Sequence, residues 1–248
     1  MFGSRRVAGI ACATLFLMAA CGGSAAPVAP VAPVAAATPS ATPSVTSSIL
    51  ASGPLASIPA GALFINYLDL PQAAGGVIKH AHIPGFVYAV SGTPEMDVEG
   101  AAPTMIQPGN AAFIGSGVMH SHVNPGTSGN DWWFIGLRPA ASRPLATIVA
   151  GQKELYTTPD LTTIATGSYT EMLTDSRLAA KGVDRQSGQV IRVLYVVEGD
   201  VTVSGDAGMV STASAGQGLY SLPGATLVLT AGAAGAHYLT FTMTPAGN

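Results

Sequence analysis

The sequence predicts an all-β fold in which two small barrels are fused in tandem. The first observation is a series of short Val-, Ile-, Phe- and Tyr-rich runs, separated by Gly, Pro, Asn and Asp, from Ile49 onward. Such runs are typical of strands joined by turns. The second is a segment repeated in the two halves, and the third is the scarcity of helical periodicity. The best candidate for a helix is Thr170–Ala180. Many short strands at regular spacing indicate a sandwich or a barrel.

The repeat relates the two halves by one fixed offset. Residues 86–92 (Phe-Val-Tyr-Ala-Val-Ser-Gly) match residues 193–199 (Val-Leu-Tyr-Val-Val-Glu-Gly), an offset of 107 positions from 86 to 193. Without a gap, the same offset carries Gly109, Phe113 and Gly117 onto Gly216, Tyr220 and Gly224. A shared offset across separated blocks indicates a duplication with its seam near Arg138–Gly151. The alternative is two unrelated β-rich stretches that share common turn residues.

The first 48 residues are predicted to be an export signal and a tether rather than part of the folded body. Residues 1–21 hold a basic start, a short apolar stretch and small residues before Cys21, which is a secretory signal pattern. The ending Leu-Met-Ala-Ala-Cys resembles a bacterial lipobox, in which Cys21 carries the lipid; an ordinary signal peptide cut nearby is the alternative. Residues 22–48 are rich in Ala and Pro and are predicted to be a disordered tether. We therefore expect an extracytoplasmic protein, anchored by lipid to the bacterial cell envelope.

Composition excludes several kinds of function. The chain has 10 Lys and Arg against 13 Asp and Glu, and only 9% of its residues are charged, so no basic surface for nucleic acid is expected. Cys12 and Cys21 both precede the body, which leaves it neither a disulfide nor a thiolate site. No later segment approaches the ~18 consecutive apolar residues that a membrane span needs. The lipid is therefore the only membrane contact that we expect.

Four of the five histidines fall in two tight pairs, His80-Ala81-His82 and His120-Ser121-His122. Residues two apart on a strand project from the same face, so each pair can direct two imidazoles at one point. Imidazole is a common ligand for Zn, Fe, Mn, Ni and Cu. Two such pairs in a histidine-poor chain predict one shared site for a single divalent transition metal.

The surroundings of both pairs resemble the two motifs of the cupin superfamily. Residues 75–92 are similar to the first motif through Gly75, His80, His82 and Gly92. Residues 109–124 are similar to the second through Gly109, Gly117, His120 and Asn124, with Gly115 in place of a proline. The glycines permit the tight turn that brings His120 opposite the first pair. The resemblance covers residues 55–137 directly, and the second half through the duplication.

The resemblance implies a bicupin, that is, two tandem jelly-roll β-barrels. The first barrel is expected at residues 49–140 and carries the histidine site; the second is expected at residues 141–248. There the offset replaces the four paired histidines by Ser187, Gln189, Leu227 and Leu229. The second barrel is therefore expected to be degenerate, with leucines filling its interior and no metal site.

By the same resemblance, His80, His82 and His120 are the expected metal ligands, and His122 is either a fourth ligand or part of the pocket wall. The glutamate of the family motif is replaced by Phe86 or Val87. This leaves a less anionic site with open coordination positions. Phe86 and Tyr88 are expected to line the pocket or to pack in the core. A hydrogen-bonded histidine pocket without metal is the alternative.

Two further features have structural interpretations. Trp132 and Trp133 are adjacent on a predicted strand, so one is expected to face the core and the other away from it. The second could shape a ligand rim, but core packing or contact between the barrels is the favoured use. His237 is the one histidine of the second half and is expected to be a hydrogen-bonded strand residue without a catalytic role.

Three hypotheses about function follow. The first is a metal-dependent enzyme of oxygenase or isomerase type that acts on a small molecule. The second is an envelope protein that binds a small ligand or a metal without turnover, and the third is an envelope lipoprotein with a vestigial site. Near the motifs only His122 and Tyr88 offer proton transfer, which weakens the first hypothesis. The substrate, the metal and the oligomeric state, a homo-oligomer included, are left open by the sequence.

Overall fold

The computed structural model describes residues 45–81, 84–206 and 210–247. Within these ranges the regular structure is β-strand, apart from one 3-10 turn at Ala140–Ser142. The all-β prediction is therefore confirmed. The predicted signal, Cys21 and the larger part of the tether lie outside the described residues, and so does His82. Among the described residues, no helix has the length and apolar character needed to cross a membrane.

The strands differ widely in length, and the two longest, of 15 and 19 residues, lie in the second half. The first half holds β1 (Val45–Leu55), β2 (Leu63–Gln72), β3 (Val77–His80), β4 (Gly85–Ser91), β5 (Glu95–Val98), β6 (Thr104–Met105), β7 (Ala111–Ile114), β8 (His120–Val123) and β9 (Asn130–Pro139). After the 3-10 turn follow β10 (Lys153–Thr157), β11 (Tyr169–Leu178), β12 (Val183–Gln186), β13 (Ile191–Gly205), β14 (Val210–Ser214), β15 (Gly218–Ser221) and β16 (Leu227–Pro245).

The described strands form three antiparallel sheets. The order in the five-stranded sheet is β10-β2-β9-β4-β7, and the order in the four-stranded sheet is β3-β8-β5-β6. The third sheet has seven strands in the order β1-β11-β16-β13-β14, with β12 paired to β16 and β15 paired to β13. At the offset found in the sequence, the long strand β13 covers the positions of β4 and β5 of the first half, and β16 covers those of β8 and β9.

The strand pattern of the second half repeats that of the first at the offset found in the sequence. Strand β7 begins at Ala111 and its equivalent β15 begins at Gly218. A register irregularity between Ala89 and Ser91 in the β4–β9 ladder recurs between Val196 and Glu198 in the β13–β16 ladder. Bulges are specific local features, so their recurrence at one offset supports the inferred duplication.

Two strands are exchanged between the halves. Strand β1 pairs with β11 of the second half, from Val45 opposite Leu178 to Leu55 opposite Tyr169. Strand β10, its equivalent at the offset, pairs with β2 of the first half. Sheet pairing therefore crosses the predicted boundary between residues 49–140 and 141–248 at both ends.

The helical expectation for Thr170–Ala180 is wrong, because this segment forms strand β11. It is paired on one side with β1 and on the other with β16. Tyr169, Glu171 and Leu173 are buried, a spacing of two that belongs to a strand face. Tertiary pairing on both sides overrides the local preference of this polar stretch.

The sheets pack around three apolar cores. The central core lies where residues of the five-stranded and seven-stranded sheets meet, with Tyr67 stacked on Tyr195 at 5.3 Å between ring centroids. The first-half core holds Val87 and Trp132 with their neighbours. The second-half core holds Leu194, Leu229 and Tyr238 with theirs. Each half thus has an interior of its own, and the two share a central core.

Candidate metal centre

Strands β3 and β8 bring three histidines together. In their antiparallel ladder, His80 at the end of β3 lies opposite His120, and Ile78 lies opposite His122. His120 and His122 are two apart on β8 and therefore project from one face. Both are 1% exposed, and His80 is partly buried. The two sequence motifs meet in one ladder, as their spacing predicted.

The three imidazoles converge through their Nε2 atoms. Nε2 of His122 lies 3.1 Å from Nε2 of His120 and 3.3 Å from Nε2 of His80. One ring nitrogen from each of the three residues lies within 4.8 Å of the other two. Among the described residues, this group of candidate ligands contains histidine alone, in agreement with the replacement of the family glutamate.

The donor set fits a divalent transition metal. Zinc–imidazole bonds are about 2.0–2.1 Å long, so two imidazole nitrogens on one tetrahedral ion lie roughly 3.3 Å apart. The observed separations of 3.1 and 3.3 Å are close to this value. Neutral nitrogen ligands suit Zn, Fe, Ni and Cu better than they suit Ca or Mg.

Burial keeps the imidazoles in the neutral form that binds metal. Desolvation, with the nearby His120 and Arg138, lowers the pKa of His80 from 6.5 to about 4. Desolvation also lowers the pKa of His120, against the hydrogen bond to the Val118 carbonyl, which raises it. At neutral pH both rings are therefore uncharged and need no deprotonation to act as ligands.

A backbone carbonyl orients His120. Its Nδ1–H donates to the carbonyl oxygen of Val118 at 2.8 Å. This places the ring proton on Nδ1 and leaves Nε2, the atom that faces His122, as the acceptor. Such second partners fix the tautomer and the ring orientation of metal-binding histidines.

Gln72 and Trp132 hold His122, and sequence reasoning missed both roles. The Trp132 ring stacks on the His122 ring with centroids 4.2 Å apart and an interplanar angle of 18°. The Gln72 amide donates to the His122 carbonyl oxygen at 3.0 Å and accepts from Trp132 Nε1 at 3.3 Å. Gln72 lies 50 positions from His122 and 60 from Trp132 in the chain, whereas Trp132 lies ten positions from His122. Neither belongs to a motif, and the sequence indicated only that one of the two tryptophans could shape a ligand rim.

Asn124, the last residue of the second motif, fixes the turn that follows β8. Its side-chain amide donates to the carbonyl oxygens of Gln72, Ala73 and Ser128 at 3.1, 3.1 and 2.9 Å. Its Oδ1 accepts from Gly126 N at 3.0 Å. The side chain thus ties the end of β8 to the end of β2, which gives its position four residues after His120 a structural use.

The remaining predicted site residues are His82, Phe86 and Tyr88. His82 falls outside the described residues, so its part in the site stays a prediction. Phe86 and Tyr88 lie in the central core, where Phe86 contacts Phe241 and Tyr88 contacts Trp133. Successive strand residues face opposite sides, and Val87 is the residue that faces the core containing Trp132. Of the two expectations for Phe86 and Tyr88, the structure therefore shows packing in the core and not lining of the histidine pocket.

Both tryptophans are buried, in agreement with the favoured expectation of core packing or contact between the halves and not with an exposed position for one of them. Trp132 is 0% exposed and Trp133 is 9% exposed. Strand β9 is covered on both faces, because one side faces the first-half core and the other the central core. Trp132 therefore touches the histidine site, whereas Trp133 stabilises the contact with the second half through Tyr195.

The second half contains a cavity where packing was expected. Leu227 and Leu229, which occupy the positions equivalent to His120 and His122, line an opening of about 590 Å³. Leu229 is fully buried and packs in the second-half core with Leu227 against it, as expected, but the two leucines do not fill the interior completely. His237 has the expected structural environment: it is 6% exposed and its Nε2 lies 2.8 Å from Asp175 Oδ2.

Comparison with known proteins places the fold. No protein-family model matches the chain, and no curated protein matches its sequence. Among solved structures, AerE from Microcystis aeruginosa matches with a TM-score of 0.52 and 12% identity, over 79% of this chain and 98% of AerE. Procruciferin, the 11S globulin from Brassica napus, matches with a TM-score of 0.51 and 11% identity, over 72% of this chain and 75% of the globulin. These are cupin-fold proteins, and the chain has a fold of the same kind, an all-β jelly roll. At this identity the likeness establishes the fold alone.

Proposed function

We propose that this chain is an exported, lipid-anchored cupin whose first half binds one divalent transition metal and uses it to act on or bind a small molecule. The observation that carries the proposal is the convergence of His80, His120 and His122 through their Nε2 atoms. When bound, Fe, Mn, Zn, Ni or Cu would supply Lewis-acid or redox chemistry at this point. His82, two positions from His80, is retained as a candidate ligand.

The described side chains around the cluster favour metal binding over an ordinary hydrogen-bonded pocket. The Val118 carbonyl fixes the His120 ring, and Trp132 stacks on the His122 ring while Gln72 holds the His122 backbone carbonyl. A hydrogen bond from the second ring nitrogen, as His120 makes, is typical of metal-binding histidines. The apolar residues of the first-half core exclude water from one side and so strengthen the coordination.

The proposal includes two barrels in tandem. Its support is the repeated strand pattern, the repeated bulge and the separate interior core of each half. The exchanged strands β1 and β10 lie equivalently in the two halves, which agrees with a duplicated barrel that trades its first strand with its copy.

Export and lipidation are proposed from the sequence. The support is the basic start, the short apolar stretch and the small residues that precede Cys21, followed by the Ala- and Pro-rich tether. Labelling of the protein with a radioactive fatty acid in a bacterial host tests this part. Label is expected in the wild type and absent after Cys21→Ser; equal labelling of both contradicts the assignment of Cys21.

Metal content tests the central part of the proposal. Elemental analysis of the purified full chain is expected to find about one transition-metal ion per molecule. His120→Ala is expected to abolish it, whereas His237→Asn, a buried histidine outside the cluster, is expected to retain it. Absence of metal from the wild type after incubation with each of the five metals would rule out the proposal. Separate His82→Ala and His122→Ala variants test each of these two residues as a ligand.

Turnover separates the enzyme from a binding protein without catalysis. The binding alternative is favoured by the surroundings of the cluster, since the described first-half core consists of apolar side chains and Tyr88 faces the central core instead. Oxygen consumption by the iron-loaded protein is measured across a panel of small phenols, diols and organic acids. Consumption that disappears in His120→Ala supports an oxygenase; binding of a panel member without consumption supports the alternative.

A further inference from the structure

The second half contains an open cavity that the histidine site does not explain. Its volume is about 590 Å³, within the range of roughly 300–1,000 Å³ that is usual for small-molecule sites. Apolar side chains form most of its wall, namely Leu194, Val203, Leu219, Leu222, Leu227 and Leu229. A well-formed apolar cavity of this size is the default place for a small ligand.

One end of the cavity is polar and cationic. Arg192 on β13 and Ser221 on β15 are direct register partners, and both line the cavity. Each residue is 8% exposed. The Arg192 guanidinium donates through Nη2 to the carbonyl oxygen of Ser187, but Nη1 has no hydrogen-bond partner among the described residues. The Ser221 hydroxyl likewise has none within the described ranges.

The positive charge at this end is not neutralised by an ion pair. No salt bridge within the described part of the chain involves Arg192. Asp184 is the acidic group whose charge acts on it, and one oxygen of Asp184 already accepts from Gln186 at 2.8 Å and from Tyr238 at 3.0 Å. Asp206, at the cavity wall, accepts from Thr226 N at 2.9 Å. A buried donor without a partner costs stability, so a ligand that supplies an acceptor there would bind favourably.

We propose that the second-half cavity binds an apolar monocarboxylate, with its carboxylate on Arg192 and Ser221 and its hydrocarbon part against Leu194, Leu227 and Leu229. A guanidinium and a carboxylate form charge-assisted hydrogen bonds that a neutral ligand cannot form. The leucines at the positions of the lost histidines supply the apolar wall that a hydrocarbon requires. This site is separate from the metal centre and does not depend on it.

Titration calorimetry with decanoate and with 1-decanol tests the proposal on the purified full chain. The two probes share their hydrocarbon part and differ in charge. Decanoate is expected to bind with a stoichiometry of one, and decanol about tenfold more weakly or worse, because it lacks the charge-assisted bonds. Absence of decanoate binding, or equal affinity for the two probes, would overturn the proposal without any variant being needed.

Variants locate the site. Arg192→Met is expected to lower decanoate affinity to that of decanol, whereas Arg177→Met removes an exposed guanidinium of the same half outside the cavity and is expected to change nothing. Leu227→Trp is expected to block both probes by filling the cavity. His120→Ala is expected to leave decanoate binding intact even where metal is lost. Loss of decanoate binding in His120→Ala with the fold retained would place the ligand in the first half instead and contradict the proposal.

Discussion

At the scale of single residues, the carboxyl group of Glu171 is the most unusual feature outside the sites. It lies on β11 between Tyr169 and Leu173, both of which belong to the central core, and it is 0% exposed. Neither of its carboxylate oxygens has a hydrogen-bond partner among the described residues. Burial raises its pKa from 4.5 to about 8, so the folded protein holds it protonated at neutral pH.

This pKa predicts a specific dependence of stability on pH. The unfolded chain ionises Glu171 above about pH 4.5 and the folded chain only above about pH 8, so stability is lost as the pH rises between these values. The loss from pH 5 to pH 8 is on the order of 3 kcal/mol, at about 1.4 kcal/mol for each unit of pKa shift. Glu171→Gln removes the titration and is expected to flatten the profile in urea denaturation across this range. Other titrating groups, such as Asp131, act equally in both proteins; parallel profiles would contradict the pKa of Glu171.

At the same scale, the sequence predicted the histidines well and their surroundings poorly. His120 could be found because Gly109, Gly117 and Asn124 stand at fixed spacings from it, and each has a local structural use. The contact of Gln72 with His122 could not be found, because it joins residues 50 positions apart in the chain. The stacking of Trp132 on His122 could not be found either, because β9 and β8 belong to different sheets whose packing the sequence does not specify. The side chains of Phe86 and Val87 point to opposite faces of β4, and each face meets a different core. Because both faces are apolar, the local sequence does not show which face meets which core.

At the scale of elements, strand β1 is the least expected part of the fold. It begins at Val45, so it takes in the last four residues of the segment predicted as a disordered tether. Most of its residues are polar or small, and its first five residues are exposed. Nevertheless it pairs along its length with β11 and ends in Leu55, which is 2% exposed and lies in the central core. The strand therefore joins the first half to the sheet of the second.

Leu55 tests this attachment. Leu55→Ala is expected to lower the free energy of unfolding by about 2–4 kcal/mol, since it removes a buried side chain from a packed core. Ile49→Ala, on the same strand but 64% exposed, is expected to change it by less than about 0.5 kcal/mol. Urea denaturation at one pH measures both. Equal small losses for the two variants would mean that β1 does not pack as described.

The elements themselves were largely predictable, because apolar runs between turn residues define strands in both halves and one offset relates them. The repeated bulge lies within the matching segments 86–92 and 193–199, where the sequence agreement is strongest. The exchange of β1 and β10 was not predictable, since nothing local distinguishes pairing within a half from pairing with the other half. The strand β11 was not predictable either, because its polar sequence resembles a helix and only its pairing on both sides makes it a strand.

At the scale of the whole molecule, the shared central core and the exchanged strands predict that the two halves unfold together. Fluorescence of Trp132 and Trp133 reports on β9 in the first half, and far-ultraviolet circular dichroism reports on all strands. The two transitions in urea are expected to coincide, because neither half keeps its core when the other unfolds. Residues 49–140 expressed alone are expected not to fold, as they lack β10 and half of the central core. Two separated transitions would contradict this view.

The division of labour between the halves is the central claim: a metal centre in the first and an apolar cavity in its place in the second. The most direct measurement is anomalous X-ray diffraction from crystals of the metal-loaded protein, collected at the absorption edge of the bound metal. The account predicts one strong peak per chain, within bonding distance of Nε2 of His80, His120 and His122, and none between Leu227 and Leu229. A peak elsewhere, or none at the histidines with the metal present in solution, would contradict it.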